Sequence, residues 1–174
     1  MTAIVYHQNQ LIADRSHVNF TLPISMHEGP KIFISADKQF AYGATGDSIL
    51  EENREKLEHQ MRVVLEHAIG KGIDMIDLDK LCGINEIIYF GTGIFITRDH
   101  QFTIKNNARR LKRLDGATHG VGTGGTLLGS MLKCGMKLQD AMIKTNQVDH
   151  LTGKTADVIK ASKLKPFIIK GTQL

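Results

Sequence analysis

Cysteine is scarce in this chain, and the two present, Cys82 and Cys134, lie far apart with no CxxC pair. That pattern argues against metal binding through them and points to reduced, buried thiols in a cytosolic protein. No apolar run approaches the roughly 20 residues of a membrane span, so no membrane partner is predicted. No charged segment followed by an apolar one opens the chain, so no signal peptide is expected and the predicted location is cytoplasmic (host cytoplasm for a viral chain). Internal repeats, linkers and low-complexity tracts are missing too. Residues 1–174 are therefore read as a single domain, a length within the usual range of about 100–200 residues. Charge of one sign is not in large excess: 22 basic against 18 acidic residues leave +4, which does not mark a nucleic-acid binder. Eight histidines show no ligand pairing, so neither a metal nor a cofactor is predicted.

What is present is a core-forming composition, 41% hydrophobic, with clear changes of period along the chain. Residues 2–7 and 10–14 are short strand-like runs around a polar turn, and a second hairpin is expected over 31–35 and 39–44. Between them, residues 16–29 read as a short strand pair or a loop. A helix is expected from about Gly46, with apolar residues Leu50, Leu57, Met61, Val64, Leu65, Ala68 and Ile69 near the 3.6 period and Gly70 as its stop. A short helix over 76–82 follows, then strands over 86–90, 93–97, 101–105 and 117–121. Helices are predicted from Gly122 to about Cys134 and over 138–148, and strand-like pieces over 157–161 and 166–170. Strands, helices, strands, helices, strands fit an α+β layered sandwich better than a parallel βαβ sheet. The densest basic run, residues 105–113 (KNNARRLKR), has five cations and no aromatic. It reads as a solvated hairpin or loop, or as a patch for an acidic partner or neighbouring subunit.

Taken singly, the chemical candidates are weak. Thr2 is an ordinary second residue, Asp14 and Lys31 fit a surface pair, and Asp149 with Thr152 fits a helix-end turn. Gly122-Thr123-Gly124-Gly125 resembles an anion-binding turn but lacks the lysine and spacing of a P-loop. Together they contain the parts of an amide-cleaving site. If Met1 is removed, the α-amine of Thr2 has a reference pKa of about 7.7–8.0 and can serve as the base for its own hydroxyl. A nearby lysine ammonium would lower the pKa of both groups, and a carboxylate would hold that lysine.

In this order the residues resemble proteasome-type peptidases, the family of proteasome β subunits and bacterial HslV. The matching features are the threonine opening a strand, Leu11-Ile12-Ala13-Asp14 ending the next, and Lys31 opening KIFIS. They continue with the Ala44-Thr45-Gly46 turn, Gly122-Thr123-Gly124, and Asp149-His150-Leu151-Thr152-Gly153. The resemblance spans nearly the whole chain. It implies a four-layer αββα sandwich of the N-terminal-nucleophile type. It also implies a threonine peptidase acting on peptides or unfolded protein, with Thr2, Asp14, Lys31, Thr123, Asp149 and Thr152 as catalytic residues. Backbone N–H groups of Ala44, Thr45 or Gly46 would form the oxyanion site. A homo-oligomeric ring and an ATP-dependent unfoldase partner follow by the same resemblance. Lys31→Ala is expected to abolish activity and leave the fold intact.

The sequence departs from the family pattern in three places. Arg15 follows Asp14 where a small residue is usual, threonines stand at 123 and 152 for serines, and the late aspartate is unlike HslV. A divergent bacterial or viral branch fits these differences. The rival reading is a catalytically silent ring-forming structural or binding protein of the same fold; a third keeps the mechanism but takes a small amide.

Overall fold

The computed structural model describes residues 2–19, 25–45, 54–82, 92–105 and 110–170. The chain starts with an antiparallel pair, β1 (Ile4–His7) and β2 (Gln10–Asp14), joined by Gln8 and Asn9, both at positive φ. Two left-handed residues make the turn whose twist matches that of the flanking strands. The Tyr6 hydroxyl donates to Asn9 Oδ1 at 2.9 Å and pins it. β11 (His119–Val121) pairs with β1 and β12 (Ala156–Lys160) with β2, giving a four-stranded sheet in the order β11-β1-β2-β12.

A second, six-stranded sheet runs β5-β6-β8-β9-β10-β7. Its strands are β5 (Ile32–Ile34), β6 (Phe40–Ala44), β7 (Met75–Asp77), β8 (Gly93–Thr97), β9 (Gln101–Lys105) and β10 (Arg110–Arg113). A separate hairpin, β3 (Ser16–Asn19) with β4 (Ser25–Glu28), lies between Asp14 and Lys31 in the chain. The strand pairings in both sheets are antiparallel.

Alternation along the strands assigns the layers, because successive side chains leave opposite faces of a sheet. Ile4, Tyr6, Leu11 and Ala13 meet Ala41, Ile94 and Ile96 in a core between the two sheets. Ala3, Val5 and Ile12 point the other way, against Leu128, Leu132, Ala141 and Met142. These four lie on α3 (Thr123–Lys133) and α4 (Leu138–Val148), which cover the four-stranded sheet. Phe40, Tyr42, Phe95, Phe102 and Ile104 pack on Leu57, Met61, Val64, Leu65 and Ala68 of α1 (Arg54–Gly70). The 4, 3, 1, 3 spacing of those helical residues makes one apolar stripe. Helices, sheet, sheet, helix: the layers are αββα. Burying each large apolar side chain in them contributes roughly 1.5–3 kcal/mol.

Several expectations change on the structure. Of the two readings of the basic run, hairpin fits better than loop: residues 110–113 form β10, antiparallel to β9, but the strand is held between β9 and β7 with Leu111 1% exposed. The expected helix over 76–82 is divided into β7 and a short α2 (Leu78–Cys82), because 75–77 pair with β10. Residues 166–170 form no strand; the Arg62 guanidinium and the Gln39 side chain bind the Ile168 backbone instead. The expected strand 86–90 and the first turns from Gly46 lie outside the described residues. Among the described residues no helix is long and apolar enough to cross a membrane.

Candidate active site

Asp14 closes β2 with no exposed surface, and its carboxylate collects donors from four parts of the chain. Lys31 Nζ donates to Oδ1 at 2.8 Å and to Oδ2 at 2.9 Å. The Ala3 N–H reaches Oδ1 at 2.8 Å, and the Ser16 and Gly153 N–H groups reach Oδ2 at 3.1 and 2.9 Å. Lys31 precedes β5 and its side chain is only 4% exposed. Its ammonium and the Ala3 N–H converge on one oxygen, so the cation stands within two hydrogen-bond lengths of the residue after Thr2. An isolated charge so deeply buried would be costly; a bidentate pair backed by three N–H donors satisfies both ions.

A second carboxylate organises the other side. Asp149 follows α4, and its Oδ2 accepts the hydroxyls of Thr123 at 2.9 Å and Thr152 at 3.1 Å. Its Oδ1 accepts the Leu151 N–H at 3.2 Å, a local Asx turn. Asn146 Nδ2 donates to the Thr152 carbonyl at 2.6 Å. The next residue, Gly153, is the one that donates to Asp14, so the two clusters share a single stretch of chain.

Glycines let the first turn of α3 approach β1. Gly122 has φ +79°, and a Cβ there would collide with the Thr2 carbonyl oxygen. A Cβ on Gly124 would collide with Thr152 Oγ1 and stand 3.1 Å from Ala3 Cβ. Thr2 itself is half-buried at the head of β1.

The structure thus gathers Asp14 and Lys31 in one cluster and Thr123, Asp149 and Thr152 in another, with Thr2 against Gly122. The expected oxyanion turn is less uniform. Ala44 faces α1, and the Thr45 N–H is committed to the Thr92 carbonyl at 2.9 Å. Gly46 lies outside the described residues. Arg15 binds both oxygens of Asp157 on β12, at 2.6 and 2.7 Å, in a half-exposed pair.

Three parts escaped sequence reasoning: the Gly153 and Ser16 N–H donors, and Asn146. Backbone donors have no residue signature; only the glycine after Thr152 marked the close approach to Ser16. His17 also borders the site. It stacks on His27 across the β3–β4 hairpin, with ring centroids 5.1 Å apart. Burial foremost, then the Lys31 charge, pushes its pKa down against the pull of the Gly29 carbonyl. Among the described residues no group of three or more His, Cys, Asp or Glu side chains could hold a metal.

The fold has counterparts among solved structures. The chain is similar to eukaryotic HslV from Trypanosoma brucei, with a TM-score of 0.63 at 13% identity, over 91% of this chain and 97% of that one. It has an HslV-like fold. It is also similar to Thiobacillus denitrificans BPH in complex with epoxomicin, with a TM-score of 0.53 at 13% identity, over 95% and 99% of the two chains. No protein-family model and no curated protein sequence matches it. The αββα sandwich is that of the N-terminal-nucleophile hydrolases.

Proposed function

We propose that the chain is a threonine-type peptidase, with Thr2 as nucleophile after removal of Met1. The observation that carries the reading is the buried Asp14–Lys31 pair held against the backbone next to Thr2. A fold gains little stability from a buried ion pair over well-packed apolar residues, so a cation fixed at this point fits a chemical role. Thr2 Oγ attacks the peptide carbonyl while its proton passes to the free Thr2 amine, directly or through water. The Lys31 ammonium lowers the pKa of both groups, and Asp14 holds it in position. Collapse of the tetrahedral intermediate breaks the C–N bond, and the amine hands its proton to the departing nitrogen. Water then cleaves the Oγ ester by the same route, restoring Thr2. Thr123, Asp149 and Thr152 position the amine end of Thr2 through the Gly122 turn. The oxyanion donor falls to the Ala44–Gly46 turn, where the engaged Thr45 N–H leaves Gly46 as the better candidate.

Substrates are peptides or unfolded protein, and the fold likeness supports a homo-oligomeric ring served by a separate ATP-dependent unfoldase, in the cytoplasm. Intact mass decides whether Met1 is lost from natively expressed protein. Protein with Thr2 exposed should hydrolyse peptides and be labelled on Thr2 by epoxomicin, the ligand bound to BPH. Protein retaining Met1, and Thr2→Ala, should do neither. If processed protein stays unlabelled and inactive, the enzyme reading fails and a structural or binding role replaces it.

A further inference from the structure

Lys105, Arg110 and Lys112 have no part in the proposed chemistry, and their placement is unusual. Leu111 and Ile104 are register partners facing α1, so Lys105, Arg110 and Lys112 leave the opposite face, toward the four-stranded sheet. Arg110 is directly across from Lys105, and Lys112 follows two residues on. Like charges opposite each other in a ladder are destabilising. Lysines often guard an open edge, but β10 is interior, between β9 and β7. Asp77, across from Arg110 on β7, supplies one carboxylate on that side.

His119 completes the corner. It lies across from Tyr6 on β1, and with Tyr6 and Val121 it points into the space between the sheets. Its Nε2 is buried and has no hydrogen-bond partner among the described residues. Burial, then the charges of Lys105 and Lys112, keep this ring neutral by lowering its pKa.

We propose that this corner, with Lys105, Arg110 and Lys112 at the mouth and His119 Nε2 inside, binds a phosphate-class oxyanion. Three exposed cations on two adjacent strands match a compact ligand with several negative charges, whereas a lone carboxylate would neutralise one. The neutral imidazole, as its Nε2–H tautomer, donates to one oxygen and loses its orphan status. The Phe, Tyr or Trp rings of β9, β10 and β11 amount to Phe102, which faces α1, so these strands offer a nucleobase no such ring to stack on at this corner.

The test uses the full chain with inorganic phosphate and tripolyphosphate, against sodium chloride at matched ionic strength, by calorimetry and thermal melting. Saturable one-site binding of tripolyphosphate and a raised Tm are expected. Lys105→Gln/Lys112→Gln should weaken that binding by about tenfold or more. Without ligand, Lys105→Gln should melt no lower than wild type, since it removes the like charge directly across from Arg110. In wild type, the His119 Nε2 resonance should shift on titration, a readout that needs no variant to fold. A response equal to that of chloride, unchanged affinity in the double variant or an unmoved His119 signal would overturn the site. Saturable binding of a polyglutamate peptide without tripolyphosphate binding would overturn it in favour of an acidic protein surface.

Discussion

Asp14 and Asp149 are linked through adjacent residues, since Thr152 bonds one and Gly153 the other, yet they are held in different ways. Asp14 is fully buried, paired with a cation and surrounded by backbone N–H groups. Asp149 is half-exposed and bonded to hydroxyls, one of them on the exposed Thr123. Removing a partner from the first leaves a charge without solvent; removing the exposed Thr123 hydroxyl from the second lets water take its place, although Thr152 is buried. The first cluster therefore bears on stability and chemistry together, and the second mainly on geometry. That contrast adds a stability cost to the loss of activity expected for Lys31→Ala, since the lysine side chain is buried.

The largest effect should follow from breaking the Asp14 cluster. Lys31→Ala is expected to cost about 3–5 kcal/mol by denaturant titration, besides abolishing turnover. Adding Asp14→Asn to Lys31→Met should cost much less than either change does alone, a coupling readable in a double-mutant cycle. Additive losses would mean that the pair acts as two separate groups.

Next come the glycines that let the clusters meet. Gly124→Ala forces Thr152 and Ala3 away from α3, and a loss of about 1–3 kcal/mol is expected in thermal melts. A structure of that variant with Thr152 still bonded to Asp149 would remove the close approach as the reason for glycine.

Changes at the half-exposed cluster should separate stability from activity. Asp149→Asn is expected to lower stability by no more than about 1.5 kcal/mol. Peptide hydrolysis should fall by a larger factor, because the Thr123 and Thr152 hydroxyls lose their shared acceptor. Unchanged kcat/KM would place this cluster outside the mechanism.

The smallest effect concerns acid. His17 and His119 both have folded-state pKa values pushed below the ordinary 6.5, by burial foremost. As pH falls below about 6.5, the unfolded chain binds protons that the folded chain refuses, so these two sites favour unfolding. Urea midpoints should drop from pH 7 to pH 5.5, and the drop should shrink in His17→Asn/His119→Asn. An identical pH slope in that variant would exclude these rings as its source.

Local pattern determined much of this protein. The turn at Gln8-Asn9, the period of α1 and the bounds of α3 and α4 followed from residue spacing, because neighbours in sequence set those features. The ordered motifs likewise anticipated the αββα layers and the pairing of Asp14 with Lys31. Tertiary structure decided the rest. Residues 75–77 became a strand only because β10 pairs with them, and β10 itself has a single apolar residue by which to be recognised. The three N–H donors to Asp14 are backbone groups that any sequence carries, made specific by where distant segments cross. The burial of Lys31 in an ion pair, and of His119 Nε2 without a hydrogen-bond partner among the described residues, came only from the packing of sheet on sheet. Burial is a property of the assembled layers, and no local window of residues contains it.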